Sequence, residues 1–179
     1  ASGQPYVLYV GNRDGYKNFK AFLEAFASSP LLRDNFRVLC FGGPALTPQE
    51  LALADLLGLS EGQLAREGGD DEVLARLYRG AAALVYPSLY EGFGIPPLEA
   101  MAAGCPVICS NTSSLPEVVG NAGEYFDPRS RDSMATVIER VLDSASRRQE
   151  LVQLGRQQLQ LFSWERCARE TLGIYRSIL

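Results

Sequence analysis

The strongest constraint on this chain is its rhythm, in which short apolar runs alternate with longer segments whose apolar residues recur at helical spacing. Tyr6-Val7-Leu8-Tyr9-Val10 is the first run and ends at Gly11, and Phe36 to Phe41 is the second, closed by Gly42-Gly43-Pro44. Gln63 to Glu67, Ala83 to Tyr86, Pro106 to Cys109 and Gly123 to Phe126 continue the series. Runs so short and so evenly apolar suit strands buried on both faces. A sheet wet on one side would alternate polar and apolar residues instead.

The intervening segments read as helices. Asn18 to Ser28 places Phe19, Phe22, Leu23 and Phe26 on one face, and Thr47 to Leu57 is a second helix. Asp71 is placed to cap a third, with Val73, Leu74, Leu77, Tyr78 and Ala81 turned inward. Pro96 to Ala103 opens with proline and stops before Gly104, the expected asymmetry of helix ends. Three helices follow: one with the stripe Met134, Val137, Ile138, Val141 and Leu142, one with Leu151, Leu154 and Leu161, and one capped by Ser163. The last carries Trp164, Cys167, Ala168, Leu172 and Tyr175 on one side. This order predicts an α/β, Rossmann-like domain: a parallel six-stranded sheet with helices on both faces. At 179 residues it makes one domain. Residues 1–5 read as a cloning scar or linker, and the natural protein is expected to extend upstream.

Composition excludes more than it selects. A net charge of −4, with no dense basic stripe, argues against nucleic acid as a partner. No apolar run approaches the about 18 to 20 residues that span a bilayer. Ala1-Ser2-Gly3 carries no signal peptide, so a cytoplasmic location is expected. Cys105 and Cys109 are separated by three residues rather than two, and the chain has no histidine, which disfavours zinc or redox chemistry. Buried reduced thiols are the expectation for Cys40, Cys105, Cys109 and Cys167. No strand leads into GxGxxG and no GxxxxGK[ST] occurs, which weighs against a dehydrogenase or a P-loop enzyme.

In a doubly wound sheet, ligands bind beyond the C-terminal ends of the strands. The loop that leaves the fourth run is the richest there: Ser88-Leu89-Tyr90-Glu91-Gly92-Phe93-Gly94-Ile95-Pro96-Pro97-Leu98-Glu99. Gly92 and Gly94 open the backbone to close approach, and the helix start beyond them offers unpaired N–H groups and a positive dipole end to a diphosphate. Pro96 and Pro97 donate nothing, which leaves Ile95, Leu98 and Glu99 as amide donors. A carboxylate beside an anion needs another target, and a vicinal diol supplies one. Glu91 before the turn and Glu99 one helical turn inside can thus flank the phosphates. On spacing alone, Glu91 reads equally as a solvated loop residue and Glu99 as a helix-dipole partner.

Glu91 and Glu99, with seven residues between them around Gly-Phe-Gly, resemble the EX7E motif of retaining GT-B glycosyltransferases of the group 1 (GT4-like) family. The likeness extends from Val10-Gly11 through Tyr86-Pro87-Ser88, Ala100-Met101-Ala102-Ala103-Gly104-Cys105-Pro106-Val107-Ile108 and Leu115-Pro116-Glu117-Val118-Val119-Gly120 to Phe162-Ser163-Trp164. It matches the C-terminal, nucleotide-sugar-binding half. The resemblance implies that Glu99 holds the ribose hydroxyls and that Glu91 faces the transferred sugar with the backbone of Phe93, Gly94 and Ile95. Leu98 N–H would help hold the diphosphate. From the first loop, Gly11, Asn12, Arg13 and Lys17 would complete the site, with Lys17 and Arg13 on the diphosphate. The family places its arginine directly after the glycine, where this chain has Asn12. Lys17 and Lys20 are the only lysines among the 17 basic residues, and Lys20 is assigned to the surface.

The resemblance further implies a hexose donor carried by GDP or UDP, with mannose favoured by the Pro96-Pro97 turn, and a saccharide or lipid acceptor, as in polysaccharide biosynthesis. Lys and Arg neutralise the leaving phosphate, so no metal or other cofactor is required; Asp70-Asp71-Glu72 is a contiguous acidic run rather than DxD. The expected partner is an absent N-terminal, acceptor-binding domain that supplies the histidine relatives use. Any membrane contact would run through that domain. The helix over 163–179 would reach toward it, and the isolated unit is expected to bind nucleotide weakly and transfer nothing. A non-catalytic nucleotide- or sugar-binding module and a nucleotide-sugar epimerase of the same fold remain alternatives.

Overall fold

The computed structural model describes residues 3–178. Its centre is a six-stranded, wholly parallel sheet in the order β3-β2-β1-β4-β5-β6. The strands are β1 (Tyr6–Val10), β2 (Arg37–Phe41), β3 (Leu64–Glu67), β4 (Ala83–Tyr86), β5 (Val107–Ser110) and β6 (Gly123–Phe126). The helices are α1 (Phe19–Ser28), α2 (Pro30–Asn35), α3 (Pro48–Leu56), α4 (Asp71–Gly80), α5 (Ile95–Ala102), α6 (Leu115–Val119), α7 (Arg131–Asp143), α8 (Ala145–Leu159) and α9 (Trp164–Ile178). All six strands stand where the apolar runs predicted them, within one residue at each end.

The two-residue period of β1 explains the two layers. Val7 and Tyr9 join Phe19, Phe22 and Phe26 of α1 and Ile138 of α7 in one core, whereas Leu8 and Val10 join Tyr78 of α4, Met101 of α5 and Val119 of α6 in the other. Each Leu, Val or Phe sealed in these layers contributes roughly 1.5–3 kcal/mol relative to exposure. The chain winds outward from β1 to β3, then crosses back to place β4 on the other side of β1. The loops after β1 and β4 therefore diverge over a crevice, the place where this architecture accepts ligands.

Local chemistry accounts for most boundaries. Thr47 and Glu50 form a reciprocal capping box at the start of α3, with Pro48 at its first position. The cap of α4 is Asp70, one residue before the expected Asp71, because the extended backbone of Asp70 lets its carboxylate accept from Val73 N–H at 3.0 Å. Two short helices were not expected. Ser29 caps α2 by accepting from Leu32 N–H at 3.1 Å, and α6 spans only Leu115–Val119.

The expectation of four buried thiols fails at Cys167. Cys40, Cys105 and Cys109 are buried, but Cys167 is exposed on α9, none of whose described residues is buried. The apolar stripe of α9 faces no layer of this domain, and Trp164 is 82% exposed. Among the described residues no helix is long and apolar enough to cross a membrane.

Candidate functional site

The loop after β1 turns at Gly11, whose φ of +128° favours glycine, and whose N–H still donates to Phe41 O at 3.0 Å. A 3-10 turn over Gly15–Lys17 then ends at Asn18, which sits in the left-handed region at φ 59° and opens α1. Asn18 does not cap α1 with its side chain. Its amide instead donates to Pro87 O at 3.1 Å and to Pro128 O at 2.8 Å, and Leu89 N–H donates to Tyr16 O at 2.7 Å. The first loop is thereby latched to the loops after β4 and β6.

This latch delivers Lys17 over the crevice. Its ammonium donates to Glu91 Oε1 at 2.7 Å and to the Tyr86 hydroxyl at 2.8 Å. The Lys17 and Glu91 side chains are 15% and 11% exposed, enough enclosure to strengthen the pair beyond a surface contact. Burial first, and then the Glu91 charge, hold the Tyr86 phenol far above its ordinary value of 10.0. Tyr86 is therefore a neutral partner. The aliphatic stem of Lys17 runs over Gly11, where an added Cβ would stand 3.6 Å from it.

The glycine-rich loop is braced from behind by three consecutive hydroxyl residues after β5. Thr112 Oγ1 donates to Leu89 O, Ser113 Oγ accepts from Glu91 N–H at 2.9 Å, and Ser114 Oγ donates to Glu91 O and to Phe93 O at 3.0 and 2.8 Å. Gly94, at φ +113°, turns the chain into α5 beneath Leu115, and an added Cβ would meet that side chain at 3.0 Å. Gly92 faces open space. Among the described residues none accepts from the N–H groups of Phe93, Gly94 or Ile95. The start of α5 thus presents unpaired donors and a positive dipole end, with Leu98 in its first turn. Such a surface binds an anion.

Glu99 lies one turn inside α5. Its Oε2 accepts a 3.0 Å bond from the Tyr78 hydroxyl of α4. It borders a cavity of about 690 Å³ shared with Phe93, Ile95, Leu98, Phe162 and Trp164, and a groove along α4 with Asp71, Leu74 and Tyr78.

Lys17 and Glu91 meet at the mouth of the crevice, Gly94 turns the chain beyond them, and Phe93, Ile95, Leu98 and Glu99 line one cavity. Arg13 is already paired within the protein. Its side chain is 3% exposed, and the guanidinium pairs with Glu50 at 2.6 Å while donating to Gly42 O, Pro44 O and Ala45 O. These bonds tie the first loop to the β2–α3 loop. Asn12 is held by its backbone, its carbonyl accepting from the Tyr9 hydroxyl. Tyr86, Tyr78, Asn18 and the Thr112–Ser114 brace were missed. Only the run of three hydroxyl residues after a strand was a visible signal. Among the described residues no three His, Cys, Asp or Glu side chains gather as a metal site.

The chain resembles known proteins over nearly its whole length. Residues 1–158 match the family model described as "Glycosyl transferases group 1". The chain is 39% identical over 175 residues to O-antigen chain mannosyltransferase B of Escherichia coli, covering 97% of this chain and 46% of that protein. It is 39% identical over 132 residues to the MMP alpha-(1->4)-mannosyltransferase of Mycolicibacterium hassiacum, covering 72% of this chain and 32% of that one. Among solved structures, sucrose-phosphate synthase from Thermosynechococcus elongatus superposes with a TM-score of 0.83 at 31% identity, over 98% of this chain and 45% of that one. The chain therefore spans less than half the length of these relatives.

Proposed function

The chain belongs to the group 1 glycosyl transferases, and on that premise we propose that it is the donor-binding half of a hexosyltransferase that takes its sugar from a nucleoside diphosphate. The observation that carries this reading is the convergence of Lys17, Glu91 and the unpaired amides of Phe93, Gly94 and Ile95 over the crevice between β1 and β4.

The diphosphate rests on the start of α5, where the loop amides, the Leu98 turn and the helix dipole meet it. Lys17 turns from Glu91 to the phosphate oxygens and stabilises the charge that grows there as the bond to the sugar breaks. Glu91, relieved of its lysine, accepts from the sugar hydroxyls. Glu99 accepts from the ribose diol, and the base extends over the loop between β3 and α4. Arg13 contributes by fixing the path of the first loop. Retained anomeric configuration follows the EX7E resemblance, and mannose as the transferred hexose is favoured by the names of the two relatives. The acceptor site and its catalytic groups belong to a further domain.

Calorimetric titration of the 179-residue chain with GDP, UDP, ADP and NAD tests the reading. A nucleoside diphosphate binds and NAD does not. Glu99→Ala lowers that affinity about tenfold to a hundredfold, the loss of one or two charge-assisted hydrogen bonds. Affinity untouched by Glu99→Ala, or tight binding of NAD alone, would overturn it.

A further inference from the structure

Each glutamate of the mouth has a tyrosine hydroxyl behind it, and the one behind Glu99 has no counterpart in the reading above. Tyr78 is 2% exposed, lies on the inner face of α4, and directs its hydroxyl across to α5. That hydroxyl donates to Glu99 Oε2 at 3.0 Å, and no second bond to it occurs among the described residues. Burial, and next the charge of Glu99, raise the phenol far above its ordinary value of 10.0. It stays protonated across the physiological range and acts here only as a donor.

The consequence lies in the rotamers of Glu99. An exposed glutamate on a helix samples many side-chain conformations, and freezing them opposes binding. With one oxygen held by a buried, rigid phenol, the other oxygen and the remaining lone pairs have a fixed direction. A carboxylate so held meets two neighbouring hydroxyls without first being ordered.

We propose that Tyr78 is a positioning residue that orients Glu99 toward the ribose and so sets the preference of this domain for ribo- over deoxyribonucleotides. The proposal rests on the ribose role of Glu99 given above. Tyr78 touches no ligand in this scheme. Its whole effect passes through one hydrogen bond.

Tyr78→Phe removes that bond and keeps the ring that fills the core. Calorimetry on the whole chain, with GDP against 2′-deoxy-GDP and UDP against 2′-deoxy-UDP, reads the effect as a ratio of affinities. The unaltered chain prefers the ribonucleotide of the better-bound base by about tenfold, one hydrogen bond to a charged acceptor. In Tyr78→Phe the ratio falls to about threefold or less, while affinity for inorganic pyrophosphate is unchanged. A merely structural loss would weaken all ligands alike and leave the ratio intact. Thermal unfolding of each variant reports any loss of fold, and Tyr78→Phe combined with Glu99→Gln shows no further fall in the ratio beyond Glu99→Gln alone. If the unaltered chain binds nucleoside diphosphates but ignores the 2′-hydroxyl, the ribose role of Glu99 fails and takes the proposal with it. If the preference exists and survives in Tyr78→Phe, only the role of the tyrosine is overturned.

Discussion

Glu91 and Glu99 stand at the two ends of the same glycine-rich loop, yet they keep different company. Glu91 is enclosed, and its charge is met by the Lys17 ammonium at 2.7 Å. Glu99 is exposed and meets only a neutral phenol. The Lys17–Glu91 pair must separate, at least in part, before a diphosphate can claim the lysine, whereas Glu99 is already a free acceptor. One end of the loop is compensated by an internal cation, and the other is not. The difference teaches that two identical side chains, conspicuous together in sequence, need not respond alike to ligand or to mutation.

The largest effect expected from breaking this contrast is at Lys17. Lys17→Ala removes the ammonium and leaves Glu91 as an uncompensated charge beside the phosphates. Affinity for GDP or UDP, measured by calorimetry, should fall about a hundredfold or more. A fall smaller than that of Glu99→Ala would mean that the lysine serves mainly to neutralise Glu91.

Glu91→Gln should act in the opposite direction and more gently. The amide keeps the shape but releases the lysine, so nucleoside diphosphate affinity rises about threefold, the scale of a partly solvated ion pair. Glu99→Gln, in contrast, lowers it. If both glutamine variants move affinity the same way, the two ends of the loop are not distinct.

Arg13–Glu50 sharpens the comparison from outside, as a pair committed to structure rather than to ligand. Burial raises the Glu50 carboxyl, but hydrogen bonds from Arg13 and Thr47 outweigh it and hold the group below its ordinary value of 4.5. A depressed folded value means that the stabilisation is complete above the ordinary value and is lost as pH falls through the depressed one. Acidification through that depressed value should therefore speed amide exchange in the β2–α3 loop, an effect absent in Glu50→Gln. Acid that loosens the loop equally in both proteins would remove Glu50 from the account.

The sheet was readable because strands buried on both faces leave uninterrupted apolar runs, and β1 to β6 all appear there. α2 and α6 were not, since six and five residues are too few to display a helical period. At the mouth, Lys17, Glu91 and Glu99 were legible through spacing and resemblance. Tyr78 and Tyr86 were hidden for a physical reason: each buries its ring in an apolar stripe and shows its polar end only once the fold brings the glutamates near. The pairing of Arg13 with Glu50, 37 residues away, was not legible from a loop position after a strand.

Asn18 carries one more implication, for how the protein is made. Its side chain grips carbonyls 69 and 110 residues further along the chain. As the polypeptide leaves the ribosome, β1 and α1 can gather early, but this grip cannot close before Pro128 has emerged. The last tie of the first loop, to the loop after β6, is thus completed only once more than two thirds of the chain has been made, whereas its ties to the loop after β4 need far less.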